Sequence, residues 1–242
     1  MSRVKNYFDT HSHNHAYHYD PRIYNEIFKF LHEGNTQKGR IFDLGCGDGS
    51  FLKAALMAGD SGQCLGSDIS FSMIKTAQEN LKNFAVDLIV CDGFTLPFKT
   101  ETKFDLIHID SVLHHLIGKT RGLSLGLVRK MLRLLKRRLS DQGLLVIEEI
   151  YYDSYVVRPI TTSIIFYALK LLNFFHFDFS KVINEIQLGL EVNFMPSGQI
   201  RSILQQLGGN LTLLKNDSWN IPLPYRFLLL KERGHITYLL KP

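Results

Sequence analysis

The chain has 242 residues, with 45% hydrophobic and 21% charged residues, so one compact globule with an ample core is expected. This balance excludes a disordered or fibrous chain, and the net charge of +5 is too small for a protein that coats nucleic acid.

Cysteine usage and the N-terminus favour a cytoplasmic protein. Cys46, Cys64 and Cys91 have no pairing partners at short spacing, which argues against a disulfide framework or a cysteine-rich zinc site. The first residues lack the apolar centre of a signal peptide. The chain also lacks the run of about 20 apolar residues that a membrane span needs.

Short apolar runs alternate with helical stretches from Arg40 onward. Strands are predicted at 40–47, 64–70, 85–92, 103–110 and 143–150. Helices are predicted between them at 50–58, 71–84 and 123–140. Strands separated by such helices form βαβ units. The pattern therefore predicts an α/β fold with a Rossmann-like, mostly parallel sheet flanked by helices.

The flanking segments are expected to complete one domain spanning residues 1–242. Its predicted parts are an N-terminal helical lid (1–38), a cofactor-binding core (39–150), an aromatic helical cap (151–195) and the rest of the sheet (196–242). The last part is expected to hold a helix at 196–209 and an antiparallel strand pair at 211–218 and 235–242. The sheet would then have seven strands, the last of them antiparallel.

A glycine-rich turn, Asp43-Leu44-Gly45-Cys46-Gly47-Asp48-Gly49, follows the first predicted strand. Glycines at alternate positions let the backbone approach a ligand closely. A dinucleotide site is one alternative, but its spacing is GxGxxG, whereas the spacing here is GxGxG. An acid two residues before the first glycine suits a cationic ligand better than a pyrophosphate.

Two further acids end neighbouring strands. Asp68 can accept hydrogen bonds from ribose hydroxyls, and Asp92, followed by Gly93, can accept from an adenine amino group. The carboxyl ends of parallel strands form the crevice where open α/β sheets bind ligands. The alternative is that these acids only form turns or cap helices.

This combination resembles the class I S-adenosylmethionine-dependent methyltransferases over about residues 40–150. The matching stretches are DLGCGDGSF (43–51), GSDIS (66–70), VCDGFTLPF (90–98) and FDLIHIDSVLHHL (104–116). The last two are similar to the small-molecule branch that includes the ubiquinone/menaquinone C-methyltransferases.

The resemblance implies that S-adenosylmethionine is the cofactor. Its methionine end is implied to lie at Asp43, Gly45, Cys46, Gly47, Ile109 and Asp110. Its ribose and adenine are implied to lie at Asp68, Ile69, Asp92 and Gly93. A looser match to this branch's entry segment implies that Tyr7 folds over the cofactor.

Nucleic acid is not an expected substrate. Enzymes of this class that methylate nucleic-acid amines carry Asn/Asp-Pro-Pro-Tyr/Phe after the fourth strand, where this chain has IDSVLHH. The helix at 123–140 has a basic face, made of Arg129, Arg133, Lys136 and Arg137. Such a face can bind RNA or anionic lipid, but it is more often simply solvated.

Three residues beside the predicted methyl position are catalytic candidates: His114, His115 and Glu149. An imidazole there can take a proton from the acceptor as the methyl group moves. The alternatives are a histidine packed against the sheet and transfer by alignment alone. Strand alternation sends Glu148 and Glu149 to opposite sides, so we expect one to face the acceptor and the other to be solvated or to cap.

A histidine tract near the N-terminus contains His11, His13, His15 and His18. It can be read as a metal site, but a structural or cofactor-covering role is favoured because no further ligands support it. No metal is therefore expected.

The segment 159–177, PITTSIIFYALKLLNFFHF, is apolar on most sides of a helix. Ile160, Ile164, Tyr167, Leu171 and Phe175 line one face. Such a helix must be buried or must meet something apolar. We expect a lid over a hydrophobic or aromatic small-molecule acceptor, with possible peripheral membrane contact and residues 221–230 in the same wall. The alternative is a cap that only packs on the sheet.

Three functions remain open at this point. The first is direct in-line methyl transfer to a small hydrophobic or aromatic acceptor. The second is a protein that binds S-adenosylmethionine without transferring its methyl group, since fold alone does not fix chemistry. The third is a protein- or RNA-modifying methyltransferase that uses the basic helix. The acceptor, its nucleophilic atom and the oligomeric state are left open.

Overall fold

The computed structural model describes residues 2–11, 21–32, 39–58, 61–155, 158–175, 190–221 and 229–242. Its α-helices are α1 (Ser2–His11), α2 (Pro21–His32), α3 (Ser50–Met57), α4 (Phe71–Asn80), α5 (Arg121–Arg137), α6 (Arg158–Phe175) and α7 (Ser197–Gln205). Its strands are β1 (Gly39–Leu44), β2 (Ser61–Asp68), β3 (Asp87–Val90), β4 (Phe104–Asp110), β5 (Leu139–Ser154), β6 (Asn210–Ser218) and β7 (Leu230–Lys241).

The seven strands form one sheet in the order β3-β2-β1-β4-β5-β7-β6. Neighbours from β3 to β5 are parallel, whereas β7 runs antiparallel to both β5 and β6. Six strands therefore point one way and only β7 points the other. The predicted Rossmann-like fold with an antiparallel last strand is confirmed.

Helices cover both faces of the sheet. Phe42, Ile107 and Leu145 face a core that α5 and α7 complete. Their strand neighbours Ile41 and Leu106 face a second core, completed by α2, α3 and α4. Successive strand residues point to opposite faces, so a strand covered on both sides is apolar without alternation.

Strand β5 is longer than the sequence pattern indicates. The predicted strand ends at Ile150, and the residues after it are expected to be helical. In the structure Tyr151, Tyr152 and Asp153 pair with β7, which carries β5 on to Ser154. The reason is the length of β7, because it supplies hydrogen-bonding partners beyond the rim of the parallel strands.

The predicted aromatic cap contains one described helix, α6. Its buried residues Ile165 and Leu169 pack with Tyr7, Tyr152 and Phe194 in a third apolar cluster. Residues 176–189 of the cap, residues 222–228 of the predicted wall, and His13, His15 and His18 lie outside the described residues. In the part of the chain that is described, no helix has the length and apolarity needed to cross a membrane.

Candidate active site

The turn after β1 depends on left-handed glycines. Gly45 has φ +75° and Gly49 has φ +82°, a region that other residues rarely adopt. A Cβ at Gly45 would lie 2.3 Å from the Val112 Cγ2 atom, so no larger residue fits there without movement. The amides of Gly45 and Cys46 donate to the Ser67 carbonyl at 2.7 and 2.9 Å. These bonds fix the turn against the end of β2.

Asp68 connects this turn to α4. Its Oδ2 accepts from the Gly47 amide at 3.1 Å, and its Oδ1 accepts from the Ser70 amide at 2.8 Å. Burial raises the pKa of Asp68 to about 6, and the backbone hydrogen bonds oppose that rise. Asp68 is therefore mostly ionised at neutral pH. The backbone of Ile69 also hydrogen-bonds this carboxylate. Because a carboxylate has about four lone-pair sites, it retains capacity for about one further hydrogen bond.

A cleft with an empty volume of about 750 Å³, part of it open to solvent, lies at the carboxyl ends of β1, β2 and β4. Its lining residues are Val4, Phe8, Leu44, Gly45, Ser67, Asp68, Ile69, Met73, Cys91, Gly93, Asp110, Ser111, Val112, His115, Leu116 and Met131. Two of them are acids, and none of these described lining residues is a lysine or arginine. The cleft therefore suits a neutral or cationic ligand better than a phosphate.

Helix α1 closes one side of the cleft with Val4 and Phe8. Asp9 holds this helix in place, because its carboxylate accepts from the Ser70 hydroxyl at 2.7 Å. The Ser72 hydroxyl also donates to the Asp9 carbonyl at 2.9 Å. Ser70 is the residue whose amide binds Asp68, so the lid and the predicted ribose carboxylate meet at the start of α4.

Five of the predicted cofactor residues line the cleft: Gly45, Asp68, Ile69, Gly93 and Asp110. They come from separate loops and strand ends, and the parallel sheet brings them together. Their contacts with a cofactor stay predictions. Sequence reasoning did not single out Val4 of α1 or Met131 of α5, because no local pattern relates these two residues to the glycine turn.

The other predicted cofactor residues lie outside the cleft lining. Cys46 and Ile109 are buried in the two sheet cores, and Tyr7 is buried beside Phe8. The Gly47 amide is used by Asp68. The Asp92 carboxylate accepts from the Phe94 amide at 2.9 Å, as a turn-forming aspartate does. Their predicted roles toward the cofactor remain untested.

Asp43, the acid of the glycine turn, is buried against His108. Its Oδ1 lies 2.7 Å from the His108 Nδ1, and the His108 Nε2 lies 3.0 Å from the Glu148 Oε1. Burial would lower the pKa of His108, but the attraction of Asp43 and the hydrogen bonds that the imidazole donates to Asp43 and Glu148 raise it to about 10. His108 is therefore a buried cation between two acids.

A second histidine extends this arrangement toward the cleft. The His235 Nε2 lies 3.0 Å from the Asp110 Oδ1, and the Thr237 hydroxyl donates to Glu148 at 3.1 Å. Burial would lower the pKa of His235, but Asp110 and Glu148 raise it to about 9. Burial would raise the pKa of Asp110, but the hydrogen bond from His235, the charges of His235 and His108, and the hydrogen bond from Ser111 together lower it.

Six residues form this arrangement, which we call the polar row: Asp43, His108, Asp110, Glu148, His235 and Thr237. All lie on one face of the sheet, since Asp43 is level with His108, and Glu148 is level with both Asp110 and Thr237. The row holds two imidazolium cations and three acids. His108, His235 and Thr237 were not found from the sequence, because the row depends on strand order and register.

The three predicted catalytic residues lie together, but only one lines the cleft. His114 and Glu149 are buried as a pair, with the His114 Nδ1 2.5 Å from the Glu149 Oε1 and the His114 amide donating to Oε2 at 3.2 Å. The rings of His114 and His115 are 4.1 Å apart. His115 itself lines the cleft, with its ring 5.3 Å from that of Phe8.

Strand alternation separates Glu148 and Glu149 as predicted, because Glu148 joins the polar row and Glu149 pairs with His114. Neither glutamate is solvated, since they are 4% and 0% exposed; of the two alternatives, solvation or capping, the hydrogen bond from the His114 amide to Glu149 fits capping. Both are covered because β5 is an interior strand of the sheet, between β4 and β7.

Asn193 is a buried polar residue that sequence reasoning missed. The backbone N–H of Asn193 donates to the His114 carbonyl at 2.8 Å, which places the residue beside the His114–Glu149 pair. Its side chain is 0% exposed, and neither of its polar atoms has a hydrogen-bond partner among the described residues. An unpaired buried amide is energetically costly, so such a group marks a position where a ligand can bind.

The cleft fits an adenosyl ligand. It offers an ionised carboxylate with free acceptor capacity at Asp68 and an apolar wall at Ile69 and Met73. A second acid, Asp110, lies in the same lining and suits a cationic group. Among the described residues, no three His, Cys, Asp or Glu side chains are arranged to hold a metal ion.

Residues 42–147 match the family described as "Methyltransferase domain". The ubiquinone/menaquinone biosynthesis C-methyltransferase UbiE of Pasteurella multocida is 29% identical over 143 residues, covering 57% of this chain and 49% of that protein. The malonyl-[acyl-carrier protein] O-methyltransferase of Legionella pneumophila is 32% identical over 93 residues, covering 38% and 32% respectively. The chain thus spans about half the length of the UbiE relatives it matches.

Solved structures share the fold over most of the chain. The YcgJ protein of Bacillus subtilis has a TM-score of 0.61 at 15% identity, covering 92% of this chain and 99% of that one. Magnesium protoporphyrin IX methyltransferase of Synechocystis PCC 6803, solved with bound S-adenosylmethionine, has a TM-score of 0.55 at 13% identity, covering 99% and 96%. Similarity at these identities concerns the fold.

The sequence match covers residues 42–147, less than half of the chain, and the structural matches extend the same fold over at least 92% of it. Together they agree with the fold and the cofactor that the glycine turn and strand-end acids predict. The matches support a class I methyltransferase domain in this chain, similar to the UbiE C-methyltransferases, with S-adenosylmethionine as its cofactor.

Proposed function

We propose that the protein is a cytoplasmic enzyme that transfers a methyl group from S-adenosylmethionine to a small apolar or aromatic acceptor by direct in-line displacement. The observation that carries this proposal is the acidic cleft, which contains no described lysine or arginine and has His115 in its wall. When bound there, S-adenosylmethionine supplies a methyl group on a positively charged sulfonium. The chain's own residues then bind the cofactor, align it with the acceptor and exclude water.

Each of the two acids in the cleft binds a different part of the cofactor. Asp68 accepts from a ribose hydroxyl with the lone pair that the backbone hydrogen bonds of Gly47, Ile69 and Ser70 leave free. Asp110 faces the cationic part of the cofactor, and His235 behind it keeps that carboxylate ionised. Ile69 and Met73 provide the apolar surface for the adenine.

The acceptor lies beside Phe8 and His115, where an aromatic cluster backs the cleft. Tyr152 and Phe194 stack with ring centroids 4.3 Å apart, and Phe194 lies 5.3 Å from His114. Tyr7 belongs to the same apolar cluster as these two rings. Aromatic walls of this kind favour an apolar or aromatic acceptor and exclude water from the transfer.

In this proposal, His115 removes a proton from the acceptor. It lines the cleft, whereas His114 is buried and its Nδ1 is engaged by Glu149. The His114–Glu149 pair therefore positions the His115 backbone rather than touching the acceptor.

The test combines binding and turnover. Calorimetry with S-adenosylmethionine and S-adenosylhomocysteine measures cofactor binding, and release of S-adenosylhomocysteine is followed with phenols, quinols and acyl thioesters as candidate acceptors. We expect binding, with turnover on the more apolar acceptors. Binding without turnover on any acceptor favours a non-transferring protein. Activity on RNA or protein that falls steeply with salt favours a macromolecular substrate.

A further inference from the structure

Helix α6 exposes one apolar face along its whole length. Ile160, Ile164, Tyr167, Leu171 and Phe175 are each between 49% and 58% exposed. Their spacing of three and four residues places all five on the same side of the helix. We call this set the α6 stripe. An exposed apolar surface of this extent marks a contact with another apolar partner.

The opposite side of α6 is anchored in the protein. Ile165, Phe166 and Leu169 are at most 4% exposed. The Arg121 guanidinium also donates to the Thr162 hydroxyl at 2.8 Å, which ties the first half of α6 to α5. The α6 stripe is therefore held on a fixed helix with its apolar side outward.

Charge on this surface is positive. The sequence of α6 contains two basic residues, Arg158 and Lys170, and no acidic residue. The Lys170 ammonium donates to the carbonyls of Gly118 and Lys119 at 2.8 and 2.9 Å, which brings that loop against α6. The loop adds an exposed lysine, Lys119, to the edge of the surface.

An apolar side chain on the neighbouring helix enlarges the same surface. Leu123, near the start of α5, is 57% exposed. It lies against Gly118, since a Cβ at Gly118 would be 2.6 Å from the Leu123 Cβ. The surface thus combines the α6 stripe, a further leucine and a cationic edge.

We propose that this surface docks on an anionic lipid bilayer, with the α6 stripe and Leu123 in the headgroup region and Lys119 and Lys170 at its edge. An apolar helix face bordered by cations and carrying Tyr and Phe is the pattern of an interfacial helix. A second copy of the chain fits less well, because pairing through α6 brings like charges together without any acid on the helix.

Docking gives the proposed function a route for its acceptor, and in this respect it rests on that function. The buried side of α6 packs with Tyr152 and Phe194, the two rings that back the proposed acceptor position. Among the described residues, α6 then lies between the bilayer and that position. An apolar acceptor dissolved in the membrane would reach it without crossing water.

The experiment measures flotation of the full chain with vesicles. The probes are vesicles of phosphatidylcholine alone and of phosphatidylcholine with phosphatidylglycerol. We expect binding to the anionic vesicles, a loss of at least about tenfold in the Ile164→Asn/Leu171→Asn double variant, and a smaller loss in Lys119→Gln. The matched control is Met57→Asn/Leu213→Asn, which removes two exposed apolar side chains from other elements and should bind like the wild type.

Three results would overturn the docking proposal: no flotation of the wild type with anionic vesicles, unchanged flotation of the α6 double variant, or a lipid-free dimer that this variant dissociates in sedimentation. Urea unfolding confirms that each variant is folded. Methyl transfer to an acceptor in detergent micelles is measured separately, so failure of docking is distinguishable from failure of the proposed function.

Discussion

The His108 Nδ1 lies 2.7 Å from the Asp43 carboxylate, across the two central parallel strands, and both side chains are buried. Asp43 precedes the glycine turn, so this contact anchors the base of the candidate cofactor site to the middle of the sheet. His108 also bonds Glu148 of the next strand. One imidazole thus connects three adjacent strands directly below the cleft.

Replacing His108 with leucine should destabilise the protein by roughly 3–5 kcal/mol. The change leaves the buried acids Asp43 and Glu148 without their cation, and breaking a buried pair from one side has this cost. Urea unfolding followed by circular dichroism measures it. Lys82→Gln, which breaks an exposed pair with Glu79, is the control and should leave stability unchanged. A loss in His108→Leu below about 1 kcal/mol would contradict the buried cation.

Stability should also fall as pH rises from about 7 to about 8.5. The pKa values of His108 and His235 are raised to about 10 and about 9, so in this window both keep their protons when folded and lose them when unfolded. Folding then binds protons, and the free energy of unfolding should drop by the order of 3 kcal/mol in total. Urea titrations at several pH values measure the slope.

The pH prediction has its own control. Replacing His235 with asparagine removes one of the two groups whose pKa is raised. The free energy of unfolding should therefore fall about half as steeply with pH. Stability that rises with pH in the wild type would show that the polar row is not protonated as the geometry requires. A slope that is unchanged in the variant would assign it to other groups.

Asp68→Asn should weaken binding of S-adenosylhomocysteine by about ten- to a hundredfold. Hydrogen bonds to a charged group contribute about 1.5–3 kcal/mol, and asparagine keeps one oxygen for the backbone amides while losing the charge. Calorimetry gives the dissociation constant. Asp87→Asn, on the adjacent strand β3 and exposed, makes the same chemical change outside the cleft and should bind normally. Equal affinity for both variants would remove Asp68 from the site.

His115→Gln should slow methyl transfer far more than it weakens cofactor binding. A general base contributes about a hundredfold or more to the rate, whereas in the proposed site the cofactor is held mainly by Asp68 and the glycine turn. Single-turnover rates and calorimetry separate the two effects. Leu116→Met, at the neighbouring lining position, keeps volume and should change neither. A His115→Gln rate equal to that of the wild type would mean that alignment alone supports the transfer.

Much of the candidate site could be predicted from local sequence patterns. The glycine turn, Asp68 and Gly93 sit next to strand ends, and the ends of parallel strands necessarily meet at one edge of a sheet. His108 and His235 were missed for the opposite reason. Neither is marked by a local motif, and the acid partners of each belong to other strands that only the sheet order brings alongside.

The sequence by itself determined the βαβ alternation, the glycine turn and the strand-end acids, since each follows from the period and conformational freedom of neighbouring residues. Only the tertiary structure decided that β5 extends to Ser154, that Asp43 meets His108, and which face of α6 is outward. An apolar helix face reads the same whether it packs inside or lies exposed. Whether the face is buried depends on the residues that pack against it. Those residues come from distant parts of the chain, so the sequence of the helix alone does not reveal them.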